Sequence, residues 1–469
     1  MKIFWICFLC LISFSAVSEE RRYDVSTQKY TYYSGELGIF DLEVDLPQHG
    51  TEQVPYMIYI HGGGWQHGDL NVFKKHSICM AERGIAGVRI SYPLIKQGGT
   101  LKRVMELIEK SVSFIRKHEK DWKLDSSCFG FCGASAGAHL AALAAMETDG
   151  CRLFVGMAGT YNLLDTKDGD FPVPELKEKF IQAIDSFDLR LASPLFNIPD
   201  RNIPACLLMH GTNDNIIAYR QSLDFETGLK NKGGIAKTIL YDKVDHGVNS
   251  RTDESLFNRV SYDMFEFCND IFARKRIACV GNSITYGYLT HSIEETYPYK
   301  LQKMLGDSVE VRNFGVPGAA VQFDKFITYS KAEAYSELKL FKPDLIIMKL
   351  GTNDSRPDEW TNEEFFYADY LRLVRKMKKI SDRVYLCYPI PPYGEKWKQR
   401  DGILRNKVMR LIKRVSKEEK LPVIDLYREE MKDSINYFPD GIHPTSNGYD
   451  IIAKSIYCLL YTSPSPRDK

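Results

Sequence analysis

The sequence predicts two α/β domains in tandem, each a largely parallel sheet covered by helices. Three observations predict this. The chain has 469 residues, 44% of them apolar, enough to bury more than one core. Short apolar runs of strand character alternate with longer amphipathic stretches. That alternation stops and restarts near residues 273–276, with no Pro- or Ser-rich linker between the halves.

Strand-like runs in the first half lie at 56–60, 87–90, 128–131, 153–157, 205–209 and 237–241, from Tyr30 onward. Amphipathic stretches such as 101–117 and 218–232 read as the helices between them. In the second half the strands are expected at 277–280, 309–313, 345–349, 384–388 and 423–424, with helices such as 363–379, 403–419 and 451–460. The expected domains are therefore 19–273 and 276–460, held close together.

The ends read differently. "MKIFWICFLCLISFSAVSEE" has an early charge at Lys2, an apolar run over 3–14 and small residues at Ala16-Val17-Ser18. The run falls short of the roughly 20 residues that a membrane span needs. Residues 1–18 are thus expected to be a signal peptide and the mature protein to be secreted or periplasmic, with no membrane partner after cleavage. Residues 461–469, "YTSPSPRDK", resemble a translated sequencing adapter or a disordered tail and are set apart from the functional reading.

Net charge is +1, and Lys and Arg are dispersed along the chain, so nothing points to nucleic acid as a partner. Cleavage after residue 18 would remove Cys7 and Cys10 from the eleven cysteines. The rest are irregularly spaced, with no paired CxxC to hold zinc. They leave room for one or two disulfides. Cys128 and Cys132 fall on one face of an apolar strand, as core residues do. No metal or cofactor site is expected: "GASAGAH" lacks the Lys-Ser/Thr of a phosphate-binding loop, and "GNSITYG" lacks GxGxxG spacing.

The tetrapeptide GTND occurs twice, at Gly211-Thr212-Asn213-Asp214 and Gly351-Thr352-Asn353-Asp354. A duplication at that offset would map Ser135 onto Lys275 and His246 onto Leu386, so the copies are unrelated strand ends with separate roles.

Around the first copy lies one set of chemically suggestive residues. "FCGASAGAHLAALAAM" sets Ser135 between Gly133 and Gly137, after a strand and before an Ala-rich helix. G-x-S-x-G in that setting is a sharp turn that exposes a nucleophile, with the Ala136 amide facing a developing oxyanion. "YIHGGGWQHGD" follows an earlier strand, and the bare backbone of Gly62 and Gly63 suits further oxyanion donors. His61 is expected to hold that loop, and Trp65 to be either a substrate wall or core. Asp214 and His246 then follow in the order Ser…Asp…His, as acid and base. Asp245 is a rival acid, but it adjoins the histidine, which makes a bond to its ring awkward. These residues resemble the α/β-hydrolase superfamily, and within it HGGGW-type esterases related to hormone-sensitive lipase and to bacterial feruloyl and acetyl esterases, over roughly residues 30–272. The resemblance implies an α/β-hydrolase fold and ester hydrolysis without a cofactor.

A second set begins with "IACVGNSITYG", where Ser283 follows the first strand of the second half. "NFGVPGAAV" carries Gly318 ahead of a helix, "MKLGTND" carries Asn353, and "YFPDGIHPTSNGY" carries Asp440 and His443. These four blocks, in order, resemble the SGNH (GDSL-like) hydrolases over about residues 276–460. The resemblance implies a flavodoxin-like α/β/α sandwich with Ser283 as nucleophile, His443 as base and Asp440 as its partner. Gly318 and Asn353 match the oxyanion donors. Asn282 departs from the usual G-D-S and keeps the capacity to support the turn.

The pair resembles bifunctional carbohydrate esterases. It implies a secreted esterase that removes acetyl or feruloyl groups from a plant polysaccharide such as xylan, with an acylated poly- or oligosaccharide as partner. The alternatives are one catalytic domain beside a carbohydrate-binding one, or a differently specific acyl hydrolase or acyltransferase. Oligomeric state is not legible.

Overall fold

The computed structural model describes residues 22–48, 52–164, 188–250, 252–306, 309–322, 327–358, 360 and 362–462. The signal-peptide reading of 1–18 and most of the tail reading of 461–469 fall outside the described residues.

The first domain has strands β1 (Val25–Gly35), β2 (Gly38–Pro47), β3 (Val54–Ile60), β4 (Ala86–Ile90), β5 (Leu124–Ala134), β6 (Leu153–Met157), β7 (Ala205–Gly211) and β8 (Ala236–Tyr241). Its helices are α1 (Lys74–Ala81), α2 (Leu101–His118), α3 (Ala136–Glu147), α4 (Arg220–Asn231) and α5 (Glu254–Ala273). One eight-stranded sheet runs β1-β2-β4-β3-β5-β6-β7-β8. Strands β3 to β8 pair in parallel, as the alternation predicts. The hairpin of β1 and β2 is antiparallel and was not foreseen; it makes the sheet mixed.

Side chains alternate across the sheet with period two. Ile58, Ile60, Phe129 and Phe131 enter one core with α2, α3 and α4. Met57, Tyr59, Cys132 and Val155 enter the other with α1 and α5. Both faces are covered, which is why the central strands read as continuous apolar runs. Helix α2 shows how local sequence sets an element. Thr100 caps its first turn by accepting from the Arg103 amide at 3.4 Å, and Arg116, Lys117 and His118 sit at its negative end. Val104, Leu107, Ile108, Val112 and Ile115 form its buried stripe.

The second domain has β9 (Lys275–Gly281), β10 (Val309–Gly315), β11 (Leu345–Lys349), β12 (Val384–Cys387) and β13 (Val423–Ile424). Its helices are α6 (Ser283–Tyr286), α7 (Tyr297–Leu305), α8 (Glu333–Phe341), α9 (Glu363–Lys378), α10 (Lys398–Ile403), α11 (Met409–Glu419) and α12 (Ser446–Thr462). A π turn over Leu404–Val408 joins α10 to α11, where a single helix was expected. The sheet is wholly parallel in the order β10-β9-β11-β12-β13. Ala278, Val280, Ile346 and Met348 face one helical layer; Ile277, Cys279, Leu345 and Ile347 face the other.

Arg274 alone separates α5 from β9. The domains meet on a buried ionic seam. Arg152 donates to Glu310 of β10 at 2.7 Å and to the Ile271 carbonyl at 2.6 Å. Arg312 donates to the same Glu310 at 2.7 Å and to the Cys151 carbonyl at 2.9 Å. All nine described cysteines are free thiols, so the room left for disulfides is not used among them.

Candidate active sites

Both serines sit just past the C-terminal end of a central parallel strand, where open α/β sheets present their ligands. Ser135 stands between β5 and α3 with φ 52° and ψ −122°, a left-handed geometry that few non-glycine residues tolerate. The elbow leaves no room beside it. A Cβ on Gly137 would lie 2.1 Å from the Ile60 carbonyl oxygen. The same holds on the facing loop, where a Cβ on Gly62 would lie 2.5 Å from the Ala134 carbonyl oxygen. Glycine therefore brings the Gly62–Gly63 backbone up against the serine. Ala136 is the first residue of α3, so its amide has no acceptor within the helix.

The structure brings Ser135, His246 and Asp214 together. His246 Nε2 lies 3.0 Å from Ser135 Oγ, and His246 Nδ1 lies 2.8 Å from Asp214 Oδ2. A carboxylate can only accept, so Nδ1 carries the proton and Nε2 is left to accept from the serine hydroxyl. Asp214 Oδ1 accepts from the amides of Ile216 and Ile217, both at 2.9 Å. Burial would raise this carboxyl, but hydrogen bonds from His210, His246 and the Ile217 amide outweigh it and hold the group well below the usual carboxylate range. Asp245 accepts instead from the Gly247 amide at 2.8 Å. His61 stacks on Tyr92 with ring centres 4.3 Å apart and bonds its loop at Gly62 O, as a loop-holder should. Trp65 is core rather than wall: it is 8% exposed and packs edge-on to His139.

Ser283 opens α6 directly after β9. Its Oγ lies 2.9 Å from His443 Nε2, and His443 Nδ1 lies 2.5 Å from Asp440 Oδ2. Asp440 Oδ1 accepts from the Ile442 and His443 amides at 2.8 and 3.0 Å. Burial opposes ionisation of Asp440, yet the His443 bond and these amides keep it below its ordinary value. Asn282 is buried, and its Oδ1 accepts from the Ile284 amide at 3.1 Å, supporting the turn as an aspartate would. Gly318 and Asn353 line the cleft that holds Ser283, together with Tyr288 and Trp397. Gly318 lies in a turn with φ 76°, not directly ahead of a helix as its sequence suggested. The Asn353 amide donates to the Ala319 carbonyl at 2.9 Å, which ties it to the Gly318 turn and leaves its second N–H for an oxyanion.

Three residues here were missed by sequence reasoning. His210, buried on β7, donates through Nε2 to Asp214 Oδ2 at 3.0 Å, with Ser222 Oγ 2.8 Å from its other nitrogen. Its place four residues before the acid was a usable signal. Arg400 reaches Ser355 Oγ at 3.2 Å and Asn353 Oδ1 at 3.5 Å and so clamps the GTND turn. Asp354 is buried and accepts from the Val321 and Gln322 amides, both at 3.0 Å, fixing the chain beyond Gly318. Nothing local marks Arg400, and Asp354 lies within the GTND motif with no neighbour in sequence to show its task.

Residues 42–229 match the BD-FAE family model, and residues 279–451 match the GDSL-like Lipase/Acylhydrolase family. The chain joins a BD-FAE domain to a GDSL-like domain. It is a carboxylic-ester hydrolase. The acetylxylan esterase of Xylanibacter ruminicola is 23% identical to it over 473 residues, covering 93% of this chain and 96% of that protein. An isoprenylcysteine alpha-carbonyl methylesterase of Arabidopsis thaliana is 24% identical over 227 residues, 44% of this chain and 53% of that protein. Among solved structures, Thermogutta terrifontis esterase 2 phosphonylated by sarin aligns with 54% of this chain and 96% of its own at 19% identity, with a TM-score of 0.47.

Proposed function

We propose that each domain carries its own ester-cleaving site, and that the pair strips acetyl and feruloyl groups from an extracellular plant polysaccharide such as xylan. The observation that carries this reading is the presence of two complete Ser-His-Asp chains in one molecule, at 3.0 and 2.8 Å in the first domain and 2.9 and 2.5 Å in the second. In each, the histidine takes the serine proton as Oγ attacks the ester carbonyl. The oxyanion forms against backbone amides of Gly62, Gly63 and Ala136, or against Gly318 and the Asn353 amide. One such donor is worth about 2.7–4 kcal/mol. As the intermediate collapses, the histidine gives its proton to the departing sugar oxygen, and water repeats the sequence on the acyl-enzyme.

The substrate class is supported by the acetylxylan esterase relative, which matches across both domains. Export is supported by the character of residues 1–18. The test is acetate and ferulate release from acetylated, feruloylated xylan by the parent, Ser135→Ala and Ser283→Ala. Each substitution is expected to remove a different product or a different part of one. If one abolishes all release while the other changes nothing, the reading fails for the silent domain.

A further inference from the structure

The second domain's sheet ends at β10, whose outer edge has no strand partner among the described residues. The loop of the first domain that precedes β7 supplies one in side-chain form. Asn202 Nδ2 donates to the Asn313 carbonyl at 3.1 Å, and the Asn313 amide donates to Asn202 Oδ1 at 3.0 Å, reproducing the two bonds of a neighbouring strand. Asn202 holds φ 54°, a conformation asparagine tolerates better than most side chains. Arg201 Nη1 donates to the Gly315 carbonyl at 2.7 Å, and its guanidinium lies 5.3 Å over the Tyr286 ring.

These contacts fall on the backbone that sets Ser283 and its oxyanion turn. Tyr286 closes α6, which Ser283 opens. Gly315 leads through Val316 and Pro317 into Gly318. Asn313 bridges the two segments: its Nδ2 donates to the Tyr286 carbonyl at 3.3 Å, and its Oδ1 accepts from the Gly315 amide at 2.9 Å. A Cβ on Gly315 would lie 2.2 Å from the Tyr286 nitrogen, so the two segments pack backbone against backbone. We infer that Arg201 and Asn202 of the first domain are positioning residues of the second domain's site, holding the Ser283 helix and the Gly318 turn in register. This rests on the reading of Ser283 as a nucleophile.

The experiment uses the full chain carrying Ser135→Ala, so that p-nitrophenyl acetate turnover reports the second site alone. Arg201→Met and Asn202→Gly are expected to lower kcat about tenfold with KM within about twofold, because a small displacement of preset donors costs rate rather than binding. Arg201→Lys, which keeps a donor for Gly315, is expected to restore most of the loss. In the Ser283→Ala background the same substitutions leave first-domain turnover unchanged. Unaltered kcat, a change in KM alone, or equal losses in both backgrounds would overturn the inference, as would a drop in melting temperature that accounts for the lost activity. Labelling of Ser283 by a fluorophosphonate in the Ser135→Ala parent separates the two ideas. No labelling sinks the nucleophile reading and the inference with it; labelling with unchanged kcat in the variants sinks only the inference.

Discussion

His210 gives Asp214 a second charge-assisted hydrogen bond on the oxygen that also faces His246. Such a bond is worth about 1.5–3 kcal/mol, so His210→Phe is expected to lower first-domain kcat by about tenfold or more in the Ser283→Ala background. An unchanged kcat on p-nitrophenyl acetate would refute that role. The two GTND copies share letters and divide the work differently. In the first, Asp214 orients the imidazole while the Asn213 backbone N–H donates to the Val244 carbonyl. In the second, Asn353 faces the cleft and Asp354 turns inward to the Val321 and Gln322 amides. Chain order picked out Asp214, and the resemblance to SGNH hydrolases picked out Asn353. The task of Asp354 was not legible, because its partners lie in another loop. Burial pushes the Asp354 carboxyl up to about 6, against its backbone bonds. A carboxyl raised on folding stabilises the fold below its unfolded value and loses that contribution as pH rises through about 6. The melting temperature of Asp354→Asn relative to the parent is therefore expected to be higher at pH 8 than at pH 4. A difference that does not vary with pH would contradict this.

Elements differ in how much their sequence discloses. The parallel strands β6 and β11 coincide with their apolar runs because both are buried along their whole length, although β11 ends on the buried Lys349. The β1–β2 hairpin was missed because it alternates: Phe40, Leu42 and Val44 are buried while the residues between them are not, and β1 is largely polar. Its turn, Gly35 to Gly38, was the signal available. Helix α3 has almost no polar face, since it packs under the elbow, and its small side chains set how near it approaches. Gly137→Ala is accordingly expected to destabilise the first domain by about 1–3 kcal/mol through overpacking, and to lower its kcat by moving Ser135. Calorimetry with a p-nitrophenyl acetate assay checks both. A variant that melts and turns over like the parent would mean that the Ile60 carbonyl yields more than its packing implies.

At the scale of the whole molecule, the sequence marked the junction at residues 273–276 but not the seam beside it. Arg152 lies far in the chain from Glu310 and Arg312, and each alone reads as an ordinary surface charge. Burial would raise Glu310, but the two guanidinium groups hold it below its ordinary value. Arg152→Met removes one partner from a buried pair, at a cost of about 3–5 kcal/mol. Calorimetry is expected to show one melting transition in the parent and two separated ones in the variant. A single unshifted transition would show that the seam does not couple the domains. The side-chain partner that Asn202 offers β10 has a consequence for dissecting the molecule. A fragment beginning at Lys275 would bare the Val309–Gly315 edge, and exposed edges recruit one another. Such a fragment is expected to self-associate, so the first domain also serves as a solubility shield for the second, and truncation would trade a clean assay for aggregation.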